Sequence, residues 1–210
     1  MDFIIKELAP ELTEDFLDFM ENRAHSNIPN FICYCTSFNM TQEQYKLEIE
    51  EKARALKGVN GLISLSRKAA EQLINDNILK GYLAYHNNLA IGWCNTNDKK
   101  RYSQLEFNEV IDDNESKTQA IACVAIAPEY RDKDAHLCLI TRVCEDAKAR
   151  GYEIVEAYPS PIKAPYSSSC MYLFKENATG CYAKPIYMYE QAGFIVVSEN
   201  EKYTKMQKKL

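Results

Sequence analysis

The chain lacks several things that would have fixed its class at once. It has no run approaching the roughly 20 apolar residues that span a bilayer, so no membrane helix is expected. Its opening, Met1-Asp-Phe-Ile-Ile-Lys6, has neither a basic start nor a long apolar core, so a secretory leader is not expected and the cytoplasm is the expected location. It lacks an excess of positive charge: the formal net charge of -5 argues against a nucleic-acid partner held through phosphates. No internal repeat, low-complexity tract or linker divides it. Among eight cysteines no C-x-x-C pair occurs, which removes the commonest signature of a structural metal site.

What is present suits a packed core. Apolar residues make up 46% of 210 residues, enough for one domain with an insertion. The cysteines read as reduced, buried small hydrophobes. Cys33-Tyr-Cys35 is the one close pair, which a strand would turn to a single face; a reactive or metal-touching role stays open there.

The chain is organised around the stretch from Gln119 to Phe194. Ala120 to Ala127 is an unbroken apolar run of strand length that Pro128 ends, as expected of a strand buried on both faces. The charged turn Glu129-Tyr-Arg-Asp-Lys-Asp134 follows. A helix is expected from near Ala135, with Leu137, Ile140, Cys144 and Ala147 on its inner face and Gly151 as its stop. A turn whose amides feed a helix start is a candidate anion site. Against that, the turn carries two bases and three acids and no glycine, and Asp134 is a natural N-cap whose carboxylate would compete for the same amides.

Before this stretch, Phe3–Leu8 reads as a strand and Thr13 as the cap of a helix through Glu21. Residues 23–39 read as irregular and aromatic. Thr41-Gln-Glu-Gln44 has the form of a capping box opening a helix that ends before Gly58, and a third helix is expected over Ser66–Asp76. Gly81–Tyr85 and Leu89–Trp93 flank His86-Asn-Asn88 as a hairpin. Asn95–Lys117 reads as a polar loop. After the Gly151 stop come a strand at Glu153–Tyr158, a long connection over Pro159–Lys184 of the kind that forms lids, a helix at Ile186–Ala192, and strands at Phe194–Val197 and Tyr203–Lys208.

Three pieces resemble the GNAT family of acetyl-CoA-dependent N-acetyltransferases. Ile126-Ala-Pro-Glu-Tyr-Arg-Asp-Lys-Asp-Ala-His136 is similar to that family's strand and pyrophosphate loop, V-x-P-x-x-R-G-K-G-I-G. Leu137–Gly151 is similar to the helix that follows, and Tyr187-Met-Tyr-Glu-Gln-Ala-Gly-Phe194 resembles the closing Y-E-K-x-G-F corner. The resemblance implies a mixed α/β (α+β) GNAT fold, with a mixed, mostly antiparallel sheet of about six to seven strands flanked by helices. It implies one domain over residues 1–210, with a helical and aromatic insertion at about 23–77.

The resemblance also assigns roles. The backbone of Val124 and Ile126 would bind the pantetheine arm of acetyl-CoA. Arg131, Asp132, Lys133, Ala135 and His136 would meet its pyrophosphate. Tyr189 would protonate the departing thiolate. No metal is implied. The acceptor would be a small-molecule or peptide amine, and a homodimer is compatible with the family. The expected base is a water relay or a carboxylate such as Glu106 or Glu109, or none is needed. Two functions stay open: transfer of an acetyl group to an amine by direct attack, and a binding or regulatory module on the same fold that has lost catalysis.

Overall fold

A computed structural model describes residues 1–29, 31–56, 59–102, 117–131, 133–159, 186–199 and 204–210, with backbone alone at 59 and 60. Seven strands form one sheet: β1 (Ile4–Glu7), β2 (Gly81–His86), β3 (Leu89–Asp98), β4 (Thr118–Ile126), β5 (Ile154–Ala157), β6 (Ile195–Glu199) and β7 (Thr204–Lys209). Their order is β1-β2-β3-β4-β5-β7-β6, and every neighbouring pair is antiparallel except β4 with β5. The expected mixed, mostly antiparallel sheet is therefore present. Among the described residues the α-helices are α1 (Thr13–Asn22), α2 (Gln42–Tyr45), α3 (Lys52–Ala55), α4 (Val59–Asn75), α5 (Ala135–Ala149) and α6 (Ile186–Gln191). No helix among the described residues is long and apolar enough to cross a membrane.

The hairpin forms as its turn residues dictate. Asn87 and Asn88 take φ of 49° and 63°, the doubly left-handed pair that matches the twist of two antiparallel strands. Two apolar cores then grow on opposite faces of the sheet. On one, α5 buries Leu139, Ile140, Val143, Cys144 and Ala147 against Ile91, Val124 and Ile126. On the other, α1 and α4 cover Trp93, with Phe16 edge-on to the indole at 4.9 Å between centroids. Full burial of each large apolar side chain contributes about 1.5–3 kcal/mol, which makes these two faces the main source of stability. Tyr82 and Tyr85 clamp the layers from one strand: their hydroxyls donate to Asp146 of α5 at 2.8 Å and Asp15 of α1 at 2.7 Å.

Several elements depart from the sequence expectation. Thr13 is not a cap: it lies inside α1, after a 3-10 turn over Pro10–Leu12, and its hydroxyl donates to the Pro10 carbonyl. The Thr41–Gln44 capping box forms with both reciprocal bonds, but the helix it opens passes into a π-helical segment at Lys46–Glu51 before α3. Helix α4 starts at Val59, seven residues ahead of the expected Ser66, because Leu62 and Ile63 extend its apolar periodicity backwards. Leu137 is only half-buried, and Leu139 and Val143 hold the inner face of α5 instead.

Strand β3 runs on to Asp98, where a loop was expected from Asn95. Asn95 and Thr96 in its tail are buried, where Tyr102 OH donates to Asn95 Oδ1 at 2.7 Å and Thr96 Oγ1 donates to the Ala120 carbonyl at 2.8 Å.

Candidate functional site

Strand β4 pairs with β5 only over Thr118–Ile121, where Ala157 is the last partner. One residue further on, its register with β3 slips: Asn95 lies opposite Cys123 and Thr96 opposite Ile121, so Ala122 is the extra residue of a bulge. A bulge bends a strand and raises its twist, and the pairing of β4 with β5 ends just before it. Beyond it, among the described strands, Cys123–Ile126 pairs with β3 alone.

The direction of the unpaired groups follows from one bond. The Ala127 N–H donates to the Ile91 carbonyl at 2.9 Å. In an antiparallel pair, residues alternate between facing the partner and facing away. Ala125 and Ala127 therefore turn to β3, and Val124 and Ile126 aim their N–H and C=O into the wedge between β4 and β5. The Ile126 carbonyl is already taken, accepting from Arg131 Nε at 3.2 Å. The side chains of both residues are buried against α5.

The turn after β4 holds its cations close. Arg131 also donates through Nη2 to Asn27 Oδ1 at 3.2 Å, and Lys133 Nζ lies 5.0 Å from the Tyr130 ring centre. Asp132 lies outside the described residues. Asp134 stands at the N-cap of α5 but makes no side-chain cap bond, contrary to the expectation that its carboxylate would occupy the first amides. Its φ of 59° is the left-handed conformation that glycine adopts without cost. Ala135 and His136 turn their side chains into the core, so they could meet an anion only through backbone at the start of a 15-residue helix.

Tyr189 joins Val124 and Ile126 from α6. Helix α6 ends at Gly193, whose φ is 84°, and the Phe194 N–H returns to the Tyr189 carbonyl at 3.0 Å. This stop folds Tyr189 against Phe194, ring centres 5.6 Å apart, within the same apolar cluster as Val124 and Ile126. Tyr187, two positions away, is exposed. Burial pushes the Tyr189 phenol well above its ordinary pKa, and the neighbouring thiols of Cys94 and Cys123 add to the shift. Such a phenol keeps its proton at neutral pH. Val124, Ile126 and Tyr189 are thus brought together; Arg131 and Lys133 stand at the mouth with their charges turned to protein groups.

Sequence reasoning missed Glu156. It alternates with Val155 and Ala157 on β5, so those two face α5 and the carboxylate faces the other side, opposite Ala120. Only 2% of Glu156 is exposed. Lys99 Nζ and Lys205 Nζ lie 3.1 and 3.2 Å from its oxygens, Gln207 Nε2 donates at 2.6 Å, and Tyr158 OH donates as well. Burial would push this carboxyl up; the bonds from Tyr158 and Gln207 and the charges of Lys99 and Lys205 outweigh it and hold it below the usual range. An inward charge in an apolar strand was the available signal. So held, Glu156 is a poor proton acceptor and a strong anchor.

Glu106 and Glu109 lie outside the described residues, as does most of the Pro159–Lys184 connection. No group of three or more His, Cys, Asp or Glu side chains among the described residues has the arrangement to hold a metal.

No family model matches the chain, and no curated protein does. Solved structures do. The PaiA N-acetyltransferase from Thermoplasma acidophilum, in complex with coenzyme A, superposes with a TM-score of 0.53 at 14% identity, covering 100% of both chains. A GNAT-family acetyltransferase from Streptococcus pneumoniae gives 0.54 at 13%, covering 100% of this chain and 99% of its own. The NatC complex bound to Gag peptide and CoA gives 0.52 at 14%, with 100% and 99% covered.

The chain has the GNAT fold. At these identities the likeness lies in the path of the backbone. The roles of individual side chains rest on the geometry described above.

Proposed function

We propose that this GNAT-fold chain is an N-acetyltransferase that moves an acetyl group from acetyl-CoA to a primary amine of a small molecule or peptide. One observation carries the reading: the wedge beyond Ile121, into which Val124 and Ile126 direct their backbone while the protonated Tyr189 phenol packs in the same cluster. In it, the amide edge of β4 binds the pantetheine arm and polarises the thioester carbonyl. The wedge holds the two reactants together, which supplies most of the acceleration. Tyr189 gives its proton to the departing thiolate. The backbone from Arg131 through Asp132 and Lys133 to Ala135 and His136 receives the pyrophosphate, with the two cations released from their present partners.

We further take residues 1–210 as one domain acting in the cytoplasm, with residues 23–77 as an insertion walling the acceptor side. A second reading, a binding module without catalysis, is favoured by the engagement of Arg131 with Asn27 and Ile126. Calorimetric titration with acetyl-CoA, followed by thiol release across a panel of amines, separates the two. Binding with turnover supports the transferase. Absence of binding at millimolar acetyl-CoA overturns it.

A further inference from the structure

Beyond the transfer reaction, three thiols from distant parts of the chain converge on the bulge of β4. Cys123 sits at the bulge itself and is partly exposed, as is Cys33, whereas Cys35 is 2% exposed. Cys33 and Cys35 lie in the irregular segment expected over residues 23–39, outside any strand, and that segment packs on β4. Cys35 packs in the same apolar cluster as Cys123, and the thiols of Cys123 and Cys33 are the first influences on its own. Cys35 also has a left-handed backbone, φ 56°, which is strained in a residue with a side chain. The Asn39 amide holds it there by donating to the Cys35 carbonyl at 2.9 Å. Just after it, Phe38 packs on Tyr102, Ala120 and Ala122.

We propose that Cys35 and Cys123 form a reversible disulfide that locks the segment around Phe38 onto β4. Of this pair, Cys123 is the thiol within reach of an oxidant. The contact with Cys123, then that with Cys33, and burial hold the Cys35 thiol well above its ordinary pKa, so Cys35 keeps its proton and acts second. With hydrogen peroxide as oxidant, the Cys123 thiol is oxidised to a sulfenic acid and one water leaves. The Cys35 sulfur then displaces the hydroxyl, the S–S bond forms, and its proton departs in a second water. A dithiol reagent reverses the step by exchange. Cys33 is the less suitable partner for Cys35, because one intervening residue leaves little freedom for disulfide geometry. If the proposed transferase reading holds, the lock closes the acceptor side of the wedge.

The test treats the full-length reduced protein with hydrogen peroxide and maps linked peptides by mass spectrometry, with and without dithiothreitol. The expected result is one reversible crosslink between the Cys35 and Cys123 peptides, retained in Cys33→Ser and lost in Cys123→Ser. A crosslink that disappears in Cys33→Ser, or oxidation with no crosslink in the wild-type protein, overturns the proposal. Acetyl-CoA titration of the reduced protein is scored separately: its failure would remove the transferase reading and leave the disulfide standing. Where the reduced enzyme turns over, the oxidised form is expected to lose at least about tenfold in kcat/KM for the amine while still binding acetyl-CoA.

Discussion

Ala127 donates its N–H to the carbonyl of Ile91 at 2.9 Å, and that bond sets which way the end of β4 faces. Had the register been one residue different, Ala125 and Ala127 would point into the wedge and Val124 and Ile126 into the sheet. The bulge at Ala122 and the early end of β5 at Ala157 then leave those groups without a strand partner among the described residues.

Tyr189→Phe keeps the ring that packs on Phe194 and removes only the hydroxyl. Turnover is expected to fall about 100-fold, within the usual contribution of a positioned acid, with acetyl-CoA affinity nearly unchanged. Thiol-release kinetics beside calorimetry check it. An unaltered rate removes Tyr189 from the reaction.

Glu156→Gln leaves Lys99 and Lys205 without their shared carboxylate in a buried site. A loss of about 3–5 kcal/mol is expected in denaturant unfolding. The sign of its pH dependence follows from the lowered pKa of Glu156 in the fold. Its stabilisation is full above the unfolded value of about 4.3 and is lost as pH falls through the lower folded value. Unfolding followed across the acid range should therefore show a shallower decline in the variant.

Asp134→Gly relieves a left-handed residue that makes no cap bond. A gain of about 0.5–1 kcal/mol is expected, or roughly 2 °C in melting temperature for a chain of this size. Acetyl-CoA should bind more tightly to the variant, since a carboxylate leaves the turn. Weaker binding would show that the turn does not face the phosphates.

Much of this architecture was legible in the residues. Ala120 to Ala127 could only be a buried strand, Gly151 and Gly193 stop their helices at φ of 77° and 84°, and Thr41 with Gln44 caps as spaced. What could not be read depended on partners far along the chain. Asn95 and Thr96 look like loop residues until Tyr102 and Ala120 are seen to bond them. Glu156 looks solvent-facing until Lys99 and Lys205 close around it. Likewise Arg131 was assigned to phosphate from its motif alone, whereas its bonds to Ile126 and Asn27 needed the fold.

The central claim concerns a single N–H. Val124→Pro removes the donor aimed into the wedge and no ladder bond to β3, because that group faces away from Cys94. Calorimetric titration with acetyl-CoA should give binding to the wild-type protein and none to a folded Val124→Pro variant whose circular dichroism is unchanged. Equal affinity in the two proteins would contradict the account, since the cofactor would then lie somewhere other than along β4.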